Sequence, residues 1–190
     1  MTFFFLVAFA YFVGAIPFGL LFGQIFADVD VREFGSGNFG ATNVNRVLGR
    51  KLGAFTLMAD VLKGLLPVLL AQILLQDNLQ AAWVGAAAFI GHIFPIYLRF
   101  SGGKGVATAF GVILPTAFWS GVIGLVVWVL VVRISKVSAL GALVASITIP
   151  ITAYFLADDW RVAMILLGMM ILVVYRHKEN IERLKVGTEV

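Results

Sequence analysis

The chain has 190 residues, 61% of them hydrophobic and 13% charged, a formal net charge of +4, a mean hydropathy of +1.01 and no cysteine. Soluble domains of this length are about half apolar and about a quarter charged, so the composition excludes an ordinary soluble domain, a disordered chain and a disulfide-stapled secreted module. It predicts an all-α, polytopic membrane helix bundle, and it leaves no thiolate for catalysis or metal binding.

Six apolar stretches reach or approach the roughly 18 residues that cross a bilayer as a helix. They are residues 1–27, 52–75 (apolar apart from Asp60 and Lys63), 81–98, 105–132, 137–157, and 162–175 extended through Trp160 and Arg161. The first lacks the basic leader and cleavage pattern of a signal peptide and is expected to stay. Within it, Gly19 and Gly23 form a small-xxx-small face suited to close helix packing. Basic residues gather at Arg32/Arg46/Arg50/Lys51, Arg99/Lys104, Arg133/Lys136 and Arg176/Lys178/Arg183/Lys185, while the turns at 76–80 and 158–159 are neutral or acidic. Keeping all four basic clusters in the cytoplasm requires residues 105–132 to cross twice. Those 28 residues make about 42 Å of helix, short of two full crossings of about 30 Å each. Pro115 is the expected break, giving two short or tilted half-spans with local bilayer thinning. The six hydropathy peaks thus read as seven transmembrane helices, N-terminus out and C-terminus in, forming one domain over residues 1–190.

Polar residues concentrate in the loops on the basic side. The first loop, Phe34 to Arg46, holds Gly35, Gly37 and Gly40, whose backbone N–H groups can converge on an anion. Ser36, Asn38, Thr42 and Asn43 add neutral donors, and Arg46 adds a fork that matches phosphate geometry. A flexible linker would share the glycines and asparagines but does not explain the arginine. The second loop, Arg99 to Thr108, contains Ser101-Gly102-Gly103-Lys104-Gly105 and ends where a helix is expected to start, so free N–H groups and the helix dipole favour an anion there. The nucleotide-binding G-x-x-x-x-G-K-[ST] pattern is absent, because Gly105 stands where Ser or Thr would hold magnesium. This argues for phosphate binding and against ATP hydrolysis. Among the intramembrane polar residues, His92 is expected to bond a loop carbonyl within the bundle. Asp60 and Lys63, three residues apart, share a helix face and can neutralise each other. In the tail, His177, Ile181 and Leu184 fall on one helical face with Asn180 beside them, so His177 and Asn180 can face the bundle mouth. A plain amphipathic anchor has the same spacing.

Three motifs occur in order: Ser36-Gly37-Asn38-Phe39-Gly40-Ala41-Thr42-Asn43 with Arg46; Gly91-His92-Ile93-Phe94-Pro95 leading to Gly102-Gly103-Lys104-Gly105; and His177-Lys178-Glu179-Asn180-Ile181. Together they closely resemble the bacterial acyl-phosphate-dependent glycerol-3-phosphate acyltransferase family, over nearly the whole chain. The resemblance implies a small multi-pass inner-membrane enzyme with its active site at the cytoplasmic face. It implies direct transfer of a fatty acyl group from acyl phosphate to glycerol 3-phosphate, giving lysophosphatidic acid and phosphate in phospholipid synthesis, without an acyl-enzyme, cofactor or metal. Arg46, Lys104, His177 and Asn180 are then expected to be catalytic. Ser36, Gly37, Asn38, Thr42, Asn43, Ser101, Gly102, Gly103 and Gly105 would bind substrate phosphates, with Asp60, Lys63 and His92 as structural support. Expected partners are glycerol 3-phosphate, long-chain acyl phosphate, membrane lipids and a soluble acyl-phosphate-producing enzyme, with no nucleic acid. The His-x4-Asp motif of thioester-dependent glycerolipid acyltransferases is absent, since Tyr97 and Glu182 stand five residues after His92 and His177. The strongest rival is a transporter of a phosphorylated metabolite, which also uses broken helices around an anion site. Its site would lie at the midplane, whereas these polar loops gather on one side. The proton acceptor for the attacking hydroxyl is either His177 or the substrate's own phosphate.

Overall fold

Helices follow the apolar runs throughout residues 1–189, the part of the chain that the computed structural model describes. In chain order they are α1 (Thr2–Gly14), α2 (Phe18–Ala27), α3 (Ala41–Leu48), α4 (Arg50–Leu75), α5 (Asn78–Ile93), α6 (Val106–Thr116), α7 (Phe118–Ser135), α8 (Ser138–Leu156), α9 (Trp160–Arg176) and α10 (Lys178–Lys185). By length and composition, α4, α5 with its short 3-10 extension to Leu98, α7 and α8 can each cross a membrane. The pairs α1–α2, bent by 40°, and α9–α10, bent by 55°, raise the count to six if each pair is one span. Large apolar side chains such as Phe4, Phe5, Ile73, Ile134 and Phe155 stay exposed on the outside of the bundle, as lipid-facing positions require.

The break between α1 and α2 is set by Pro17, which lacks an N–H and disfavours helical geometry at Ile16. At this break the Ile16 carbonyl accepts from Phe18 N–H at 3.1 Å and from Lys63 Nζ, which reaches it from α4, at 2.8 Å. Gly19 and Gly23 do not meet another membrane helix. A Cβ at Gly19 would strike the Phe39 carbonyl oxygen, and one at Gly23 would lie 2.7 Å from that of Val29. The small face on α2 therefore receives the polar loop, because that loop folds back against the helix preceding it.

Residues 105–132 divide into α6 and α7 at Ala117 (φ −149°, ψ 67°), two residues beyond Pro115, which sits in the last turn of α6. The carbonyls left open there are satisfied from the α4–α5 turn. Gln72 Nε2 donates to Pro115 O at 2.8 Å, and Asn78 Nδ2 donates to Thr116 O at 2.9 Å. The α6–α7 turn thus lies at the same end of the bundle as the α4–α5 turn, and α7 returns toward the polar loops. With 11 residues, α6 is only about 17 Å long, against about 39 Å for the 26 residues of α4. The loop preceding it, with Gly102, Gly103 and Gly105 buried, is sunk into the bundle. Close backbone approach makes this packing tight: a Cβ at Gly64 would strike the Thr108 carbonyl, and one at Gly111 the Val61 carbonyl.

Candidate active site

The first polar loop is shaped by Asn43, which is 2% exposed near the start of α3. Its Nδ2 donates to Val31 O at 2.9 Å and Phe34 O at 3.0 Å, while its Oδ1 accepts from Ser36 N–H at 2.9 Å. Asn43 was expected as a phosphate donor. Both its N–H groups are instead engaged by backbone carbonyls of the loop, so it locks the loop. Asn38 Oδ1 accepts from Gly40 N–H at 2.7 Å, an Asx-turn that leaves the Asn38 NH₂ available. Thr42 and Arg46 are exposed on α3, and Phe39 is buried with its ring centroid 5.6 Å from that of His92.

The second loop lies over the end of α5. Gly103 N–H donates to His92 O at 3.1 Å. The expectation for His92 changes accordingly: its backbone carbonyl takes the loop bond, while its Nδ1 faces Asp60 Oδ1 at 3.8 Å without a hydrogen bond. Gly105, at φ +80°, is the N-terminal boundary of α6, and a Cβ there would run into the Phe89 ring. The first helical bond goes from Ala109 N–H to Gly105 O at 2.8 Å, so the backbone N–H groups of residues 104–108 have no protein partner among the described residues. Such a row at a helix start is an anion cradle.

The third segment is the bend between α9 and α10. His177, 3% exposed, places Nδ1 2.8 Å from Val173 O, which fixes the tautomer with Nδ1–H as donor and leaves Nε2 as acceptor. Asn180 joins the second loop to the tail: its Oδ1 accepts from Lys104 Nζ at 2.6 Å and its Nδ2 donates to Glu189 Oε1 at 2.7 Å. Glu189 Oε2 in turn accepts from Arg183 Nε at 2.6 Å. Burial pushes the Lys104 ammonium below its ordinary pKa, and the Glu189 carboxylate opposes that shift.

These three segments close around one cavity of about 300 Å³. Its polar half is lined by Ser36, Asn38, Thr42, Asn43, Arg46, Lys104, Gly105, His177, Asn180 and Glu189, with Asp60 and His92 at its base. Its apolar half is formed by Leu57, Val61, Phe110, Leu114, Leu125, Trp128 and Ala142 from α4, α6, α7 and α8. Gly37, Ser101, Gly102 and Gly103 are outside the lining; Gly102 and Gly103 are buried beneath it. Lys63 stands behind Asp60, its Nζ 2.8 Å from Asp60 Oδ1, and both side chains are almost wholly buried. That contact is a close ion pair, and another of the three Nζ–H groups donates to Ile16 O.

Sequence reasoning did not single out Glu189, Arg176 or the apolar wall. Arg176 donates from Nε to Gly103 O at 3.1 Å and from Nη2 to Gly102 O at 2.5 Å. Its signal in the sequence was only its membership of a basic cluster beside His177. Glu189 carried no signal, because nothing local to residues 185–189 reveals that the chain folds back onto Asn180.

Fold and site together define a multi-pass helical membrane protein whose cationic, glycine-edged cavity is continuous with an apolar cleft. The profile of the glycerol-3-phosphate acyltransferase family matches residues 4–187, and the chain belongs to that family. A glycerol-3-phosphate acyltransferase of Trichlorobacter lovleyi is 45% identical over 185 residues, covering 97% of this chain and 95% of the relative. One of Pseudomonas syringae pv. syringae is 42% identical over 190 residues, covering 98% and 96%. The crystal structure of PlsY (YgiH), an integral membrane glycerol 3-phosphate acyltransferase, in its glycerol 3-phosphate form, superposes with a TM-score of 0.94 at 36% identity, covering 100% of this chain and 95% of that one. Its lysophosphatidic acid form gives a TM-score of 0.92 at 35% identity with the same coverage.

Proposed function

We propose that this protein transfers a fatty acyl group from acyl phosphate to glycerol 3-phosphate, releasing lysophosphatidic acid and inorganic phosphate. One observation carries the reading: two glycine-rich loops bearing Arg46 and Lys104 meet in a cavity whose other half is apolar. Both substrates bear a phosphate, and one bears a long alkyl chain, so a cationic chamber opening into an apolar cleft accommodates both. Each methylene placed in that cleft contributes about 0.8 kcal/mol.

In this mechanism Arg46 and Lys104 neutralise the phosphates, while Ser36, Asn38, Thr42 and the free amides of residues 104–108 hold their oxygens. Asn180 orients the Lys104 ammonium through its 2.6 Å hydrogen bond. The glycerol hydroxyl oxygen attacks the acyl carbonyl carbon, the bond from that carbon to the phosphate oxygen breaks, and phosphate leaves with the bonding pair. Acyl phosphate is a mixed anhydride with a good leaving group, so no acyl-enzyme is required and the rate comes from positioning and from charge stabilisation. Two groups can take the hydroxyl proton: Nε2 of His177, held as acceptor by the Val173 bond, and a bound substrate phosphate, whose second pKa is about 6.

The chain is read as one domain with seven crossings, N-terminus out and C-terminus in, and the cavity at the cytoplasmic face of the bacterial inner membrane. The return of α7 toward the polar loops and the positive-inside rule support this topology. A soluble acyl-phosphate-producing enzyme would supply the donor. Purified protein in liposomes, given acyl phosphate and radiolabelled glycerol 3-phosphate, tests the reading. Lysophosphatidate formed without accessory protein supports it. Solute uptake without acylation, or turnover with acyl thioester but not acyl phosphate, overturns it.

A further inference from the structure

We propose that Arg176 is a positioning residue that holds the 101–105 loop in the conformation in which its amides face an anion. The proposal rests on the acyltransferase reading only for the substrates used in its kinetic test. The guanidinium takes two successive carbonyls, Gly102 O through Nη2 at 2.5 Å and Gly103 O through Nε at 3.1 Å. A planar fork can do this at one fixed orientation only. In a trans peptide the N–H points opposite to the C=O. The Gly102–Gly103 peptide is therefore pinned at both edges, its carbonyl on Arg176 and its N–H on His92 O at 3.1 Å. The next peptide has its carbonyl on Arg176, so the N–H of Lys104 is turned away from the guanidinium. Lys104 lines the cavity, whereas Arg176, Gly102 and Gly103 are outside its lining.

The loop is also pressed against α5. A Cβ at Gly102 would strike the carbonyl oxygens of His92 and Ile93, and one at Gly103 would strike His92 Nε2. Only glycines fit between α5 and the fork, and glycine peptides are those that flip most readily when unpinned. Without the fork, the two carbonyls lose their partner; the Gly102–Gly103 peptide keeps its N–H on His92 O, whereas the Gly103–Lys104 peptide has no other bond among the described residues and can rotate its negative end into the cradle. Arg176 makes no ion pair with a carboxylate among the described residues. Because His177 follows Arg176 directly, the end of α9 sets the loop and the bend of α10 together.

The test compares wild type, Arg176→Lys and Arg176→Met. Lysine retains the charge but loses the fork, which separates positioning from electrostatics. Binding of glycerol 3-phosphate in detergent is titrated by calorimetry without donor, and KM and kcat are measured for glycerol 3-phosphate and for acyl phosphate. The expected result is a rise of about 10- to 100-fold in Kd for glycerol 3-phosphate or in KM for at least one of the two substrates. Arg176→Lys should be clearly impaired, with kcat within about threefold and the unfolding temperature within a few degrees. Wild-type constants in Arg176→Lys overturn the proposal. So do unchanged KM and Kd with a falling kcat and unfolding temperature, the signature of a merely structural residue. If Arg176→Met does not fold, Arg176→Lys alone decides. If wild type forms no lysophosphatidate, the acyltransferase reading fails while the binding titration still decides the role of Arg176.

Discussion

Replacing Lys63 with methionine removes a cation that has two partners deep in the bundle. Its side chain is 1% exposed and that of Asp60 2%, with Nζ 2.8 Å from Asp60 Oδ1. The same Nζ donates at 2.8 Å to Ile16 O at the α1–α2 break. Leaving one buried charge uncompensated costs about 3–5 kcal/mol, and loss of the charge-assisted hydrogen bond to Ile16 O, whose carbonyl keeps Phe18 N–H at 3.1 Å, adds about 1–3 kcal/mol. Lys63→Met is therefore expected to lose about 4–8 kcal/mol in total. The double variant Asp60→Asn/Lys63→Met removes the charge problem and retains only the loss of that hydrogen bond, about 1–3 kcal/mol. The two sites should thus show a coupling of at least about 2 kcal/mol in a double-mutant cycle. Unfolding by SDS titration in mixed micelles, followed by circular dichroism, measures all four proteins. A loss below about 1 kcal/mol in Lys63→Met, or a double variant as unstable as the sum of the singles, would refute the reasoning.

Other expectations concern the cavity. Since burial holds the Lys104 ammonium below its usual pKa and the cation is the working form, kcat/KM should fall on the alkaline side at a pH below the ordinary lysine value. The limb should vanish in Lys104→Arg, whose guanidinium stays charged. Gly105→Ala forces φ +80° on a residue with a Cβ that meets Phe89; it should cost about 1–3 kcal/mol of stability from the backbone alone and weaken glycerol 3-phosphate binding in the same calorimetric titration. Ala142→Phe fills the apolar half. Displacing about two to four methylenes at about 0.8 kcal/mol each should raise KM for long-chain acyl phosphate about 10- to 100-fold while leaving a short-chain donor unaffected. His177→Ala separates the two proton acceptors. A fall in kcat at unchanged glycerol 3-phosphate KM assigns the base to His177, and a normal kcat assigns it to phosphate.

The chemistry-bearing positions were legible because water-seeking residues are rare in this chain and therefore conspicuous. Arg46, Lys104, His177 and Asn180 stand out against long apolar runs, and the structure brings all four to one cavity. The roles of individual polar groups were less legible. Asn43 and Asn38 look alike in sequence, yet the first has both its N–H groups on loop carbonyls while the second has no partner for its NH₂ among the described residues. A hydrogen-bond partner twelve residues away leaves no local trace. Gly19 and Gly23 likewise read as a helix-packing face, and only the path of the chain shows that a loop fills it.

Composition and periodicity by themselves determined that the chain is a bundle of membrane-length helices with its cationic loops together, because hydrophobicity, proline and charge act locally along the sequence. The tertiary structure alone decided where the breaks are satisfied, by Lys63 at Ile16 and by Gln72 and Asn78 beyond Pro115. It also decided that Arg176 underlies the glycine loop and that Glu189 closes onto Asn180. Those contacts join residues 9 to 74 positions apart, between carbonyls and side chains that any sequence of this composition would contain. Their pairing is selected only when the helices pack and each buried polar group must find the one partner within reach.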